Sequence, residues 1–200
     1  MKSFTEAHLV SVGLVTATSD LTRIFVGICG RPNVPSYPYS RFMSAFWDEA
    51  STHGQTSGAL FELMVASCLY DARVGTFYRH ANLQGSPKVE TDLLVWTREG
   101  KPWCIQMTST LRERYRLADL QAFRVKASYQ NAAFFLLTMD QFDTAKRSKK
   151  DFESLDELVY CGSAAFDSLI EQLTFSSSNE CDVLELSKRT KKVVTPPKGL

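Results

Sequence analysis

Two hundred residues, 44% of them apolar and 22% charged, suit one compact domain able to bury most of the surface its unfolded chain exposes. Twenty-three Lys and Arg balance twenty-two Asp and Glu for a formal charge of +1, which excludes a uniformly basic nucleic-acid coat and an acidic tail protein, so any anion-binding face has to be local. No stretch approaches the roughly eighteen apolar residues of a membrane span and MKSFTEAHLV has no signal-peptide pattern, so a cytoplasmic protein without a membrane partner is expected.

In chain order, Phe4 to Ile28 has the periodicity of one or two helices, and GRPNVPSYPYS then supplies three prolines in a rigid, non-helical connection. Ser40 to Ala50 predicts a short helix, making the N-terminal quarter an arm. After the polar HGQTSG comes ALFELMVASCLYDA, the longest apolar helix candidate, whose apolar residues cover most of its circumference and predict burial on several sides. GTFYRHANL, a turn at GSPK, TDLLVW, a turn at REGKP and WCIQMTS then read as strands joined by hairpin loops. From Thr110 the period becomes that of a helix, with Leu111, Tyr115, Ala118, Ala122, Val125 and Tyr129 on one stripe. AAFFLLTMD predicts a fully buried strand, and DELVYCG an edge strand. The final SKRTKKVVTPPKGL is basic, then Pro-rich, and reads as a mobile tail. Helix, antiparallel strands, helix and buried strand in that order predict an α/β core.

The five cysteines, at 29, 68, 104, 161 and 181, have no C-x-x-C spacing, which argues against a disulfide framework or a zinc ribbon; Cys68 and Cys104 read as small buried hydrophobes. The three histidines, at 8, 53 and 80, form no ligand pair, and His80, after TFYR, is a secondary candidate beside a site. The residue out of place is Glu62, a carboxylate in the apolar helix. It either meets solvent through a gap in the stripe or is buried beside a cation, a metal or a hydrogen-bond network. Asp92 opens LLVW, and Gln106 lies within the next strand. If those strands pair, three oxygen-bearing side chains converge, the donor type a hard cation such as Mg²⁺ requires for phosphodiester hydrolysis.

This arrangement resembles the PD-(D/E)xK nucleases and, within them, the type II restriction endonucleases. Their order is a helix with Glu, a strand with Asp, a strand ending in (D/E)-x-K, a packing helix and a further strand. Here it runs from GALFELM through TDLLVW and CIQMTSTLRERYR to AFFLLTM, roughly residues 57 to 140. STLRERYRLADLQA is similar to a stretch of restriction enzymes in which the catalytic lysine is followed by small hydroxyl residues, L-R-E-R and an aromatic residue. The resemblance implies a restriction-endonuclease-like central mixed sheet flanked by helices. On that fold 1–56 would be the helical N-terminal arm, 57–175 the nuclease-like core and 176–200 the basic tail of a single globular domain. It further implies a Mg²⁺- or Mn²⁺-dependent endonuclease acting on double-stranded DNA, with Glu62, Asp92 and Gln106 as metal ligands. A symmetric homodimer with the arm as dimer element is expected on the same ground, and a partner subunit stays open.

One departure bears on the chemistry. The (D/E)-x-K triplet is Gln106-Met107-Thr108, so the lysine position holds Thr108, whose neutral hydroxyl supplies no point charge to the attacked phosphate. Arg112 and Arg114, and less directly Arg116 or Lys126, are placed to bring a cation from the following helix. The same residues, with Arg124, are candidates for DNA backbone contact, or for solvating a helix face. The first expectation is thus an endodeoxyribonuclease in which Glu62, Asp92, Gln106, Thr108, Arg112 and Arg114 form the catalytic set. The alternative is a catalytically inactive nuclease fold acting in DNA binding or protein interaction. A third reading is an RNA-directed nuclease using Lys126.

Overall fold

The structure is a computed structural model and describes residues 10, 14–15, 19–29, 37–83, 85–147, 151–177, 183–185 and 193–194. The predicted short helices appear as α1 (Asp20–Cys29) and α2 (Tyr39–Ser51), and the long apolar one as α3 (Ser57–Asp71). Nine of the ten α3 positions from Leu60 to Leu69 are buried, Glu62 being the exception. The helix stops where Arg73 takes a left-handed φ of 58°, so that the N–H groups of Arg73 and Val74 return to the carbonyls of Tyr70 and Leu69.

Three strands follow as an antiparallel meander: β1 (Phe77–Leu83), β2 (Ser86–Trp96) and β3 (Pro102–Thr108). The GSPK turn is tighter than expected. Gly85 takes φ +82° and Ser86 to Lys88 already belong to β2, because glycine alone absorbs the left-handed step. Next come α4 (Arg114–Ser128), β4 (Ala133–Thr138), a short α5 (Gln141–Ala145), β5 (Glu157–Tyr160) and α6 (Ala164–Ser176). The sequence reading assigned no element to α6, whose Phe166, Leu169, Ile170 and Leu173 are buried at helical spacing.

The sheet order is β5-β4-β3-β2-β1 followed by a short strand, Val183–Glu185, with β4 parallel to both β3 and β5 and the edge position of β5 as expected. The molecule is therefore α/β, a mixed sheet with helices on both faces. One face carries the larger core, built by α1, α2, α3 and α6, and the other is covered by α4. Tyr115, Ala118, Ala122 and Val125 make the buried stripe of α4, as predicted, and its two alanines leave little between helix and sheet. The described part of the N-terminal arm packs into the larger core through Phe25, Ile28, Phe42 and Met43. Its attachment is also polar: buried Asp167 of α6 accepts the Ser40 N–H at 3.0 Å, satisfying a free donor in the first turn of α2.

The C-terminal segment differs from the expected free tail. β6 (Val183–Glu185) and β7 (Val193–Val194) both pair in parallel with β1, since β1 would otherwise leave an open sheet edge and these short β-branched pieces can fill it. The basic residues 188–192 and 148–150, and Cys181, lie outside the described residues. Among the described residues, no helix is long and apolar enough to cross a membrane.

Candidate active site

The ladder between β2 and β3 runs from Trp96 opposite Pro102 to Leu93 opposite Ile105 and stops, although both strands continue. Beyond that point β3 stays with β4, pairing Gln106 with Leu136 and Thr108 with Thr138, and so leaves β2. The separation strands the Met107 N–H, and Asp92 Oδ2 accepts it at 2.7 Å, a carboxylate standing in for a strand-to-strand bond.

Gln106 sits at the same parting. Its Oε1 is buried and accepts no hydrogen bond, a condition worth about 1–3 kcal/mol against the fold and therefore suited to a donor or a cation. A cavity of about 220 Å³ opens there, lined by Gln106, Met107, Thr108 and Ser109 of β3 and its exit, by Arg114, Leu117 and Gln121 of α4, and by Leu136 and Gly58. The Thr108 hydroxyl donates to the Thr110 carbonyl at 2.7 Å, fixing the loop into α4. Asp140 supports that loop from the other side, accepting the Leu111 N–H at 3.1 Å.

Glu62 neither points freely to solvent nor stands alone. Its carboxylate lies 3.5 Å from His80 Nε2, and His80 Nδ1 lies 3.7 Å from Glu90, with the imidazole nearly buried. Arg79 pairs with Leu93 and Ala81 with Thr91, which leaves His80 across from Asp92. His80 has φ +53°, a left-handed conformation that is unfavourable for a residue with a Cβ and is found at sites where the surroundings enforce it. It also rephases the strand: Phe77 and Ala81 would share a face of a regular strand, yet Phe77 packs in the larger core and Ala81 in the smaller. The histidine thereby joins the Glu62 helix to the Asp92 strand.

Of the basic candidates, Arg114 alone among those proposed from sequence lines the cavity. Arg112 is exposed with φ +29°. Arg116 pairs with Glu113 at 3.2 Å and donates to the Tyr115 hydroxyl, and Arg124 is exposed. Lys126 is twelve positions and about 18 Å further along α4, its ammonium 2.7 Å from Asp156. Sequence reasoning missed Glu90, Ser109 and Gln121. Glu90 and Asp92 are two apart on one strand, and Arg114, Leu117 and Gln121 follow i, i+3, i+7 spacing, which were the available signals.

Among the described residues, no group of three or more His, Cys, Asp or Glu side chains could hold a metal by itself. Mg²⁺ takes one or two carboxylates and completes its shell with water and substrate oxygens. Asp92 with the unmatched Gln106 oxygen fits that pattern, with Glu62 approaching through His80.

No protein-family model matches this chain, and no curated protein matches it. Among solved structures, that of restriction endonuclease PspGI in complex with substrate DNA is similar with a TM-score of 0.46 and 14% identity, over 76% of this chain and 68% of that one.

Proposed function

We propose that this chain is a metal-dependent endonuclease that hydrolyses phosphodiester bonds in double-stranded DNA. The observation that carries the reading is the parting of β2 and β3, where the Asp92 carboxylate holds the Met107 N–H and the neighbouring Gln106 presents a buried, unmatched oxygen at a cavity that Arg114 also lines. The resemblance of the Glu62, Asp92 and Gln106 order to the PD-(D/E)xK nucleases points the same way. When bound by Asp92, Gln106 and Glu62, Mg²⁺ or Mn²⁺ would neutralise phosphate charge and acidify a water. The chain itself holds the site in shape: Met107 fixes Asp92, and His80 orients Glu62.

Charge placement at α4 supports an anionic partner. Glu113 at its N-cap pairs with Arg116, but Arg112 and Arg114 also stand at the end where the helix dipole is positive and cations are disfavoured. DNA phosphates would offset that repulsion, with Arg124 extending the contact along the helix. Two copies on a palindromic duplex would bring one site to each scissile bond, which light scattering of the DNA complex would register as a dimer.

The test is cleavage of plasmid and genomic DNA with Mg²⁺ and Mn²⁺, comparing wild type with Asp92→Asn. Discrete fragments that vanish in the variant are expected, with a rate loss of at least about a hundredfold. The second reading, an inactive nuclease fold that binds DNA, draws on Thr108 at the lysine position. It would be favoured by tight duplex binding without cleavage that Asp92→Asn leaves unchanged. The RNA-directed reading needs Lys126 in the site and loses geometric support from the Lys126–Asp156 pair.

A further inference from the structure

Among the described residues, the cavity beside Gln106 has one cationic side chain in its wall, Arg114, and a neutral residue, Thr108, at the position where a nuclease of the proposed kind needs positive charge. Both line the same space of about 220 Å³, large enough for a phosphate group with bound water. We propose that Arg114 is a catalytic residue which supplies from α4 the positive charge missing at Thr108, and that the cavity receives the scissile phosphodiester. This rests on the endonuclease reading above.

The argument is one of position. Stabilising a phosphoryl transition state depends on where a cation sits relative to the phosphate oxygens and not on which backbone element bears it. Arg112 is two residues closer to the strand in sequence yet does not line the cavity, whereas Arg114 begins the helix and turns into it with Leu117 and Gln121. Among the described residues, no acidic side chain lines the cavity to neutralise the guanidinium.

In the reaction, the oxygen of water forms a new bond to phosphorus as the bond from phosphorus to the leaving sugar oxygen breaks. The water releases a proton to solvent and the leaving oxygen takes one from solvent. Arginine stays protonated throughout, so Arg114 contributes charge and two directed donors, not a proton. This distinguishes it from a lysine that also orients the attacking water, and implies that a lysine returned to position 108 would take over part of its work.

The experiment compares wild type, Arg114→Ala and the double variant Thr108→Lys/Arg114→Ala in cleavage of a plasmid substrate with Mg²⁺. It is paired with fluorescence anisotropy on a 24-base-pair duplex in EDTA. Arg114→Ala is expected to slow cleavage about a hundredfold or more and the double variant to recover at least about tenfold of it. In EDTA, Arg114→Ala should weaken duplex binding and flatten its dependence on the logarithm of salt concentration by about 0.9, the signature of one lost phosphate contact. Thermal melting checks that each variant is folded, and Arg114→Gln replaces Arg114→Ala if it is not. Cleavage by Arg114→Ala at the wild-type rate, or a folded double variant no faster than the single one, overturns this inference and leaves the endonuclease reading standing. Absence of cleavage by wild type overturns both.

Discussion

Asp92 combines two roles that substitution can separate. Asparagine keeps an acceptor for the Met107 N–H but removes the charge, whereas alanine also orphans that donor, at about 1–3 kcal/mol. Asp92→Asn should therefore melt close to wild type while losing cleavage, and Asp92→Ala should lose both; equal melting of the two variants would show that the bond to Met107 contributes nothing. Glu62 stood out in sequence because a charge inside an apolar run is anomalous, and Asp92 as the carboxylate that opens LLVW. The partner His80 was only half legible, since its importance comes from a left-handed backbone that no spacing announces. Burial of Cys68 and Cys104 was also foreseen, Cys29 and Cys161 are buried as well, and this has a chemical consequence. Loss of solvation, with a smaller contribution from Glu49, pushes the Cys29 thiol up to about 12, and burial alone or chiefly raises Cys68, Cys104 and Cys161 as well. These four should resist DTNB at pH 8 until denaturant is added, and prompt reaction of more than one thiol per chain would contradict their placement. The folded state keeps these protons where the unfolded chain releases them, so their contribution is complete below about pH 8.5 and fades as pH rises towards 12.

Among the elements, α4 joins the fold to the site. Its inner stripe was legible from a 3.6-residue period, but the outer face was not, because periodicity says which residues are buried and is silent on what the others meet. Asp119 illustrates the point. It lies off the buried stripe and accepts the N–H groups of Ser154 at 2.7 Å and Leu155 at 2.8 Å, holding the segment that leads into β5. Asp119→Ala should lower stability by about 1–3 kcal/mol, measured as a shift of the urea midpoint. An unchanged midpoint would mean that water replaces the carboxylate freely. The missed α6 has a similar cause: AAFDSLIEQLTFS lies just after a predicted strand, and its buried face emerges only when the sheet is present to bury it.

For the whole molecule, the mixed sheet and its flanking helices followed from the order of patterns along the chain, while the ends did not. The N-terminal helices, expected as an arm, fill the larger core, and the C-terminal pieces, expected to be free, close the β1 edge. Long-range pairing of a three-residue strand is not encoded in local composition. Ending the chain after Ser177 should expose the β1 ladder, lower the melting temperature and promote self-association visible by size-exclusion chromatography. A monodisperse truncation with an unchanged melting temperature would show that β6 and β7 add little.

The cavity's polar lining bears on what the scaffold tolerates. Thr108, Ser109, Arg114 and Gln121 belong to neither apolar core. The apolar cores therefore place little constraint on the charge carried at these four positions, and the scaffold can accept different charge arrangements around the cavity without repacking.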